Sequence, residues 1–175
     1  MELQINKVLK GDKVYLRQPK FSEMKHIQFL WGDKATMEAV GGTVELTDEK
    51  AKLWYGKMID PGRETDRYFL IFNNADDFIG EVSFHRYNSG TKTADFNIKI
   101  LSTFRGRGYS HEAIKLILDY YFREFGGEVI LDDIAKGNTG GQQALLKFGF
   151  EYVLDNEEIF LVKMTKERFE ALFSS

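Results

Sequence analysis

The residues best placed to do chemistry sit in one short run, Leu101-Ser102-Thr103-Phe104-Arg105-Gly106-Arg107-Gly108-Tyr109-Ser110. It joins an alternating strand pattern to the start of a long amphipathic helix pattern. Gly106 and Gly108 let a ligand approach the backbone closely, and the first amides of the helix have no partners within it. With the helix dipole and the charges of Arg105 and Arg107, the run predicts a phosphate or pyrophosphate site. The same spacing also suits a tight strand–helix connection with solvated arginines. It is not a Walker loop, because no Gly-Lys-Ser/Thr ends it, and it lacks the third glycine of a dinucleotide fold. Groups able to move protons lie elsewhere. Glu81 and His85 share one face of a predicted strand, Asp95 begins the next, and Asp132-Asp133 ends a later one. The chain has no cysteine and three scattered histidines. That excludes a thiol nucleophile, an iron–sulfur cluster and a thiolate zinc site, and it leaves neither a metal cluster nor a Ser-His-Asp arrangement in view.

The elements that would hold these residues follow from hydrophobic periodicity. Lys13–Arg17 alternates like a half-buried strand, and Phe21, Met24, Ile27 and Leu30 recur at helical spacing. A second helix is expected over 47–59, capped by Thr47, with Leu53, Trp54 and Met58 facing inward. Ala39–Gly42 reads as a mobile turn. Tyr68–Phe72, Phe78–Tyr87 and Ala94–Leu101 read as three strands of an antiparallel meander. The stripe Ala113, Ile114, Ile117, Leu118, Tyr121, Phe122 and Phe125 is a helix closed by Gly126-Gly127. Val129–Leu131 is a buried strand, Asn138–Phe148 a short helix, 151–154 and 159–164 two strands, and 166–173 a terminal turn. Gly140 and Gly141 argue that the short helix begins later than Asn138. Together these make a mixed α/β sheet with helices on its faces.

At 175 residues the chain suits one domain of ordinary core size. Lys and Arg number 24 against 27 Asp and Glu, a net of −3, which argues against a nucleic-acid partner and favours a cationic ligand. No apolar run is long enough to cross a bilayer, and the first seven residues hold no apolar stretch of signal-peptide length, so a cytoplasmic setting is expected.

Asp95-Phe96-Asn97-Ile98-Lys99-Ile100 leading into Arg105-Gly106-Arg107-Gly108-Tyr109-Ser110 resembles the acetyl-CoA signature of the GCN5-related N-acetyltransferases (GNAT), Gln/Arg-x-x-Gly-x-Gly/Ala. Asn138, eleven residues before Gly149-Phe150, resembles the family's second motif. The flavour is closest to the bacterial ribosomal-protein N-terminal acetyltransferases. The resemblance is carried by about residues 66–164. It implies a single domain over 1–175, with 1–65 on the acceptor side and 66–164 as the acetyl-CoA-binding core. The implied fold is a mixed, mostly antiparallel sheet with helices on both faces, split by the cofactor cleft. The implied donor is acetyl-CoA, with no metal, its pyrophosphate on the amides of Arg107, Gly108, Tyr109 and Ser110 and its pantetheine arm beside Ile98, Lys99 and Ile100. Asn138 would lie near that arm.

The implied activity is direct transfer of acetyl to a small-molecule or peptide amine in a ternary complex, and a homodimer is in keeping with the family. Asp133 matches a carboxylate position of the ribosomal-protein enzymes and is the first choice for the base, with Asp95, Glu81 and His85 as further candidates. The acceptor pocket would draw on Trp31, Trp54 and Tyr55. Two departures stand out. Ser110 replaces the last small residue of the signature, and Leu145 replaces the tyrosine with which many relatives protonate the departing thiolate. Leu145 motivates an alternative reading, a non-catalytic acyl-CoA-binding sensor or interaction module.

Overall fold

The computed structural model describes residues 8–174. The expectation for the first seven residues lies outside them. A short strand β1 (Leu9–Lys10) turns into β2 (Val14–Arg17), whose Val14 and Leu16 are fully buried. A 3-10 turn (Phe21–Glu23) leads into α1 (Met24–Gly32), which buries Met24, Ile27 and Leu30 at the expected spacing. Then come α2 (Lys34–Met37), a 3-10 turn (Glu38–Val40) closed by left-handed Gly41, and α3 (Asp48–Met58). Thr47 caps α3 as expected, accepting from the Lys50 amide at 3.2 Å. Leu53 departs from expectation: it is 75% exposed, because the inward stripe of α3 runs through Ala51 and Met58.

The meander follows as β3 (Arg67–Asn73), β4 (Phe78–Asn88) and β5 (Thr93–Ile100). β3 is buried along its whole length, as its continuous apolar run implies. Helix α4 (Tyr109–Tyr120) ends in a π-helical turn (Tyr121–Phe125), and Gly126 at φ 105° stops it. Strand β6 (Val129–Ala135), helix α5 (Thr139–Phe148), strands β7 (Glu151–Asp155) and β8 (Ile159–Thr165), and α6 (Lys166–Phe173) complete the chain. The terminal turn is thus a helix of two turns. Gly140 and Gly141 do not delay α5, because Asn138 is its N-cap and accepts from the Gly141 amide at 3.0 Å.

The strands form one eight-stranded sheet in the order β1-β2-β3-β4-β5-β6-β8-β7. Every neighbouring pair is antiparallel except β5 and β6. One face packs α4, α5 and α6 over Phe69, Val82, Phe84, Ile130 and Val162. The other packs α1 and α3 over Tyr68, Leu70 and Phe72. The helices cover both faces, as the fold expectation holds.

The parallel pair is what positions a site. β5 and β6 are bonded only where Thr93–Asp95 meet Val129–Leu131. Beyond that point β5 continues along β4 to Ile100, and β6 continues along β8 to Ala135. The sheet therefore splits, and the inner edges of Phe96–Ile100 and Asp132–Ala135 border a cleft.

Candidate active site

The cleft has two connected chambers, of about 320 Å³ and about 710 Å³, which share Val40, Ile98, Lys99, Asn138, Gly141 and Ala144. The smaller lies over the loop from β5 to α4. There Gly106 and Gly108 take φ of 79° and 82°, a region that glycine occupies without strain. Gly106, Gly108, Tyr109 and Ser110 line it, so the unpaired amides at the start of α4 are presented to it.

The two arginines of the loop do different work. Arg105 donates from Nε to the Ile100 carbonyl at 3.1 Å and from its guanidinium to the Thr36 carbonyl at 3.0 Å. It ties the loop to β5 and to α2. Buried Thr36 completes that tie, its hydroxyl accepting from the Ser102 amide at 2.9 Å and donating to Asp33. Arg107 is exposed, 5.4 Å over the Phe104 ring, and its side chain does not line the chamber.

A further cation comes from the far end of the chain. Glu112, in the first turn of α4, accepts from the Lys13 and Val14 amides at 2.7 and 2.9 Å. This brings the Lys13 ammonium to 3.1 Å from the place a β-carbon would occupy on Gly108. Nothing in the local sequence marks Lys13, since its position depends on a contact 99 residues away. Across the cleft, a β-carbon on Gly141 would fall 2.5 Å from the Asn138 amide nitrogen, so the glycine keeps the cap of α5 in place.

The larger chamber lies between α3 and the polar face of β4 and β5. Glu81, Ser83 and His85 stand opposite Lys99, Asn97 and Asp95 in the β4–β5 register. Glu81 is 2% exposed and fully engaged. Its Oε1 accepts from Trp31 Nε1 at 2.7 Å and Tyr68 OH at 2.8 Å, and its Oε2 from Asn97 at 2.8 Å and Lys99 at 3.4 Å. Burial, with the Glu81 charge beside it, pushes the Tyr68 hydroxyl well above its usual range. Trp31 and Trp54 line the chamber, edge to face at 5.8 Å. Tyr55 does not; it packs on Phe21 instead.

His85 is held from both sides. Its Nδ1 lies 3.1 Å from Asp66 Oδ1, and its Nε2 lies 2.8 Å from the Ser83 hydroxyl. The structure thus contains an Asp66–His85–Ser83 chain where the sequence suggested no such arrangement. Ser83 is fully buried and does not line either chamber, so the chain fixes the ring and exposes no nucleophile. Burial alone would raise the Asp66 carboxyl. Hydrogen bonds from His85, Thr65 and the Arg86 amide outweigh it and hold Asp66 at about 2. Asp95 pairs with Arg86 at 2.7 Å. His111 packs at a tilt against Phe148, ring centres 5.0 Å apart, and lies outside both chambers.

Two acids border the chamber with no hydrogen bond or ion pair among the described residues, Asp132 and Asp133. They are neighbours on β6 and so face opposite ways. Asp133 is exposed and follows the parity of Leu131, which lies in register with Asp95 on the polar face. Half-buried Asp132 follows Ile130 and Ile134, which pack in the same cluster as Leu145. Burial, joined by the charges of Asp133 and Asp95 against an opposing Lys99, pushes Asp132 up to about 8. The family resemblance points to Asp133 and not to Asp132; the alternation with Ile130 and Ile134 is the signal in the sequence that separates the two. Leu145, also on the chamber wall, is buried.

The split parallel pair, the glycine loop and the helix that follows it coincide with a known family. The family model described as "Acetyltransferase (GNAT) domain" matches residues 13–151. The chain belongs to the GNAT acetyltransferase family. A curated relative, "Uncharacterized N-acetyltransferase YnaD" of Bacillus subtilis (strain 168), is 23% identical over 137 residues, 78% of each chain. Among solved structures, the spermidine N-acetyltransferase of Vibrio cholerae in complex with CoA and spermine superposes with a TM-score of 0.79. It is 18% identical and is covered over 99% of its length by 91% of this chain. A GNAT-family acetyltransferase from Bacillus anthracis gives a TM-score of 0.75 at 18% identity, over 92% of this chain and 99% of that one. At such identity these likenesses speak for the fold.

As a GNAT enzyme the chain transfers acetyl from acetyl-CoA to an amine. Its residues fit that donor. The positive-φ glycines and the amides of α4, with Lys13 above them, are the groups that would hold its diphosphate. The inner edge of Ile98–Ile100 has no strand partner across the cleft. Among the described residues no group of His, Cys, Asp or Glu is placed to hold a metal ion, and no helix is long and apolar enough to cross a membrane.

Proposed function

We propose that the chain is an N-acetyltransferase that acts by direct transfer in a ternary complex, with Asp133 as base and Asp132 as acid. Acetyl-CoA, when bound, supplies the acetyl thioester. The amides of Arg107, Gly108, Tyr109 and Ser110, with Lys13, hold its diphosphate. The backbone of Ile98, Lys99 and Ile100 lines its arm, and Asn138 keeps the opposite wall in place. Asp133, exposed on the polar face, takes the proton that the attacking amine must lose. Asp132, on the Leu145 side and protonated at neutral pH, gives a proton to the departing sulfur. A group near 8 is well matched to a thiol of ~8.5. That supplies the acid for which Leu145 is unsuited.

The observation that carries this reading is the pair of adjacent, unpartnered carboxyls on opposite faces of the strand at the split. Glu81, His85 and Asp95 are committed to other partners, so in this reading they shape the pocket and leave the protons to β6. The whole of 1–175 is read as one acetyltransferase domain, although Lys13 and Thr36 from the first part serve the donor end.

Thiol release from acetyl-CoA with an amine panel tests the reading, and the cysteine-free chain adds no protein thiol to the background. The kcat of the wild type is expected to fall as pH rises through about 8, as Asp132 loses its proton. Asp132→Asn should lower kcat by about 100-fold and abolish that fall. A kcat that rises through the same pH would make Asp132 the base instead.

A homodimer in the cytoplasm belongs to the same reading. Tyr152, Val153 and Leu154 leave an exposed apolar edge on β7, and the Vibrio cholerae enzyme is described as dodecameric. Light scattering at micromolar concentration decides the oligomer.

A further inference from the structure

The net charge of the chain is negative, yet most of the charge in the larger chamber is already paired. Each of its ion pairs is built the same way round. In Arg63–Asp66 the side chains are 47% and 3% exposed, in Arg86–Asp95 79% and 40%, and in Lys99–Glu81 17% and 2%. The carboxylate is the less exposed member each time, and Asp66 and Glu81 are sunken. The sunken members are also saturated: Asp66 takes donors from His85, Thr65 and the Arg86 amide, and Glu81 takes four. They have little left to offer a second ammonium.

Lys57, on the last turn of α3, lines the same chamber, is exposed, and has no ion-pair partner among the described residues. The chamber acids with no hydrogen bond or ion pair among the described residues are the two on β6, at the split. The rings of Trp31 and Trp54 line the same chamber. The chamber therefore offers a free carboxylate, two indole rings and a free cation. At about 710 Å³ it is of small-molecule size.

We propose that the acceptor is a small primary amine that carries an anionic group at its far end. This rests on the acetyltransferase reading above and names the substrate class of the same site. Its ammonium goes to Asp133, its apolar body to the tryptophans, and its carboxylate or phosphate to Lys57. An unpaired cation attracts an anion and repels a second ammonium, so Lys57 selects for one class and against diamines.

Two matched series test this: pentylamine, 1,5-diaminopentane and 5-aminopentanoate, then benzylamine, 4-(aminomethyl)benzylamine and 4-(aminomethyl)benzoate. Within each, kcat/KM should be at least about five-fold higher for the carboxylate than for the diamine, and the gap should shrink with added salt. Lys57→Glu should reverse the order. A wild-type preference for the diamines, or a flat series that Lys57→Glu leaves unchanged, overturns the proposal.

Calorimetry with the CoA-loaded protein reads the same ranking as binding, so a slow reaction does not decide the matter; carboxylates binding no better than diamines would equally overturn it. Failure of acetyl-CoA to raise the melting temperature is a separate result: it removes the acetyl-transfer reading and this proposal with it.

Discussion

At the end of the cleft proposed for the donor the chain offers backbone; at the end proposed for the acceptor it offers side chains. The proposed diphosphate cradle is made of amides, of two glycines in left-handed conformations and of the start of a helix. The proposed acceptor chamber is made of carboxylates, guanidinium groups and indoles fixed by one another across β3, β4, β5, α1 and α3. A backbone site resists changes of side-chain chemistry but not the addition of atoms. A side-chain site is sensitive to chemistry and can be rewritten while the fold stands. The difference separates what a family shares from what each member does with it.

The largest effect is expected where an atom is added to the backbone end. Gly108→Trp puts a ring where the Lys13 ammonium now lies and forces a non-glycine into φ 82°. The stabilisation that CoA gives at 100 times its dissociation constant, ~2.7 kcal/mol, should vanish from the melting curve. Circular dichroism should still report a folded protein. Retained affinity would mean that the diphosphate lies elsewhere and that the contrast between the two ends is wrong.

Next comes Asp66→Asn at the side-chain end. Asp66 stands below its unfolded value, so its contribution is full above pH about 4 and fades as pH falls toward about 2. The substitution should cost about 2 kcal/mol in urea unfolding at pH 7 and nearly nothing at pH 2. CoA affinity should stay within a factor of about 2, because the residue lies outside the donor chamber. The smallest effect is Asn138→Ala, where loss of an N-cap costs about 1 kcal/mol. If that variant weakened CoA binding more than stability, Asn138 would be a ligand contact as well as a cap.

The same contrast explains what could be read before the structure was known. The glycine loop is local: Arg105 to Ser110 is contiguous, and its glycines advertise the backbone they permit. Asn138 could be read for the same reason, since a cap and the helix it starts are neighbours. The acceptor chamber is nonlocal. Asp66 meets His85 across 19 positions, and Glu81 meets Trp31 across 50, with no spacing rule to announce either. Glu81 and His85 were correctly placed on one face, but face alone does not reveal that both are already committed. Asp132 and Asp133, as two adjacent acids, look alike in sequence. Only the split after Asp95 and Leu131 gives them different surroundings. Leu53 misled for a related reason: leucine at helical spacing signals burial, yet the contact face of α3 is set by where the sheet lies.

The tie between Glu112 and the Lys13 and Val14 amides has a consequence in time as well as in space. Its partners lie 99 and 98 positions apart, so it is among the slower contacts to close as the chain folds. During synthesis β2 leaves the ribosome long before residue 112 exists, and the lysine that overlooks the cradle cannot be secured until it does. Acquisition of CoA binding should therefore trail the formation of the β3–β5 meander, which makes the donor a natural reporter of the last steps of maturation.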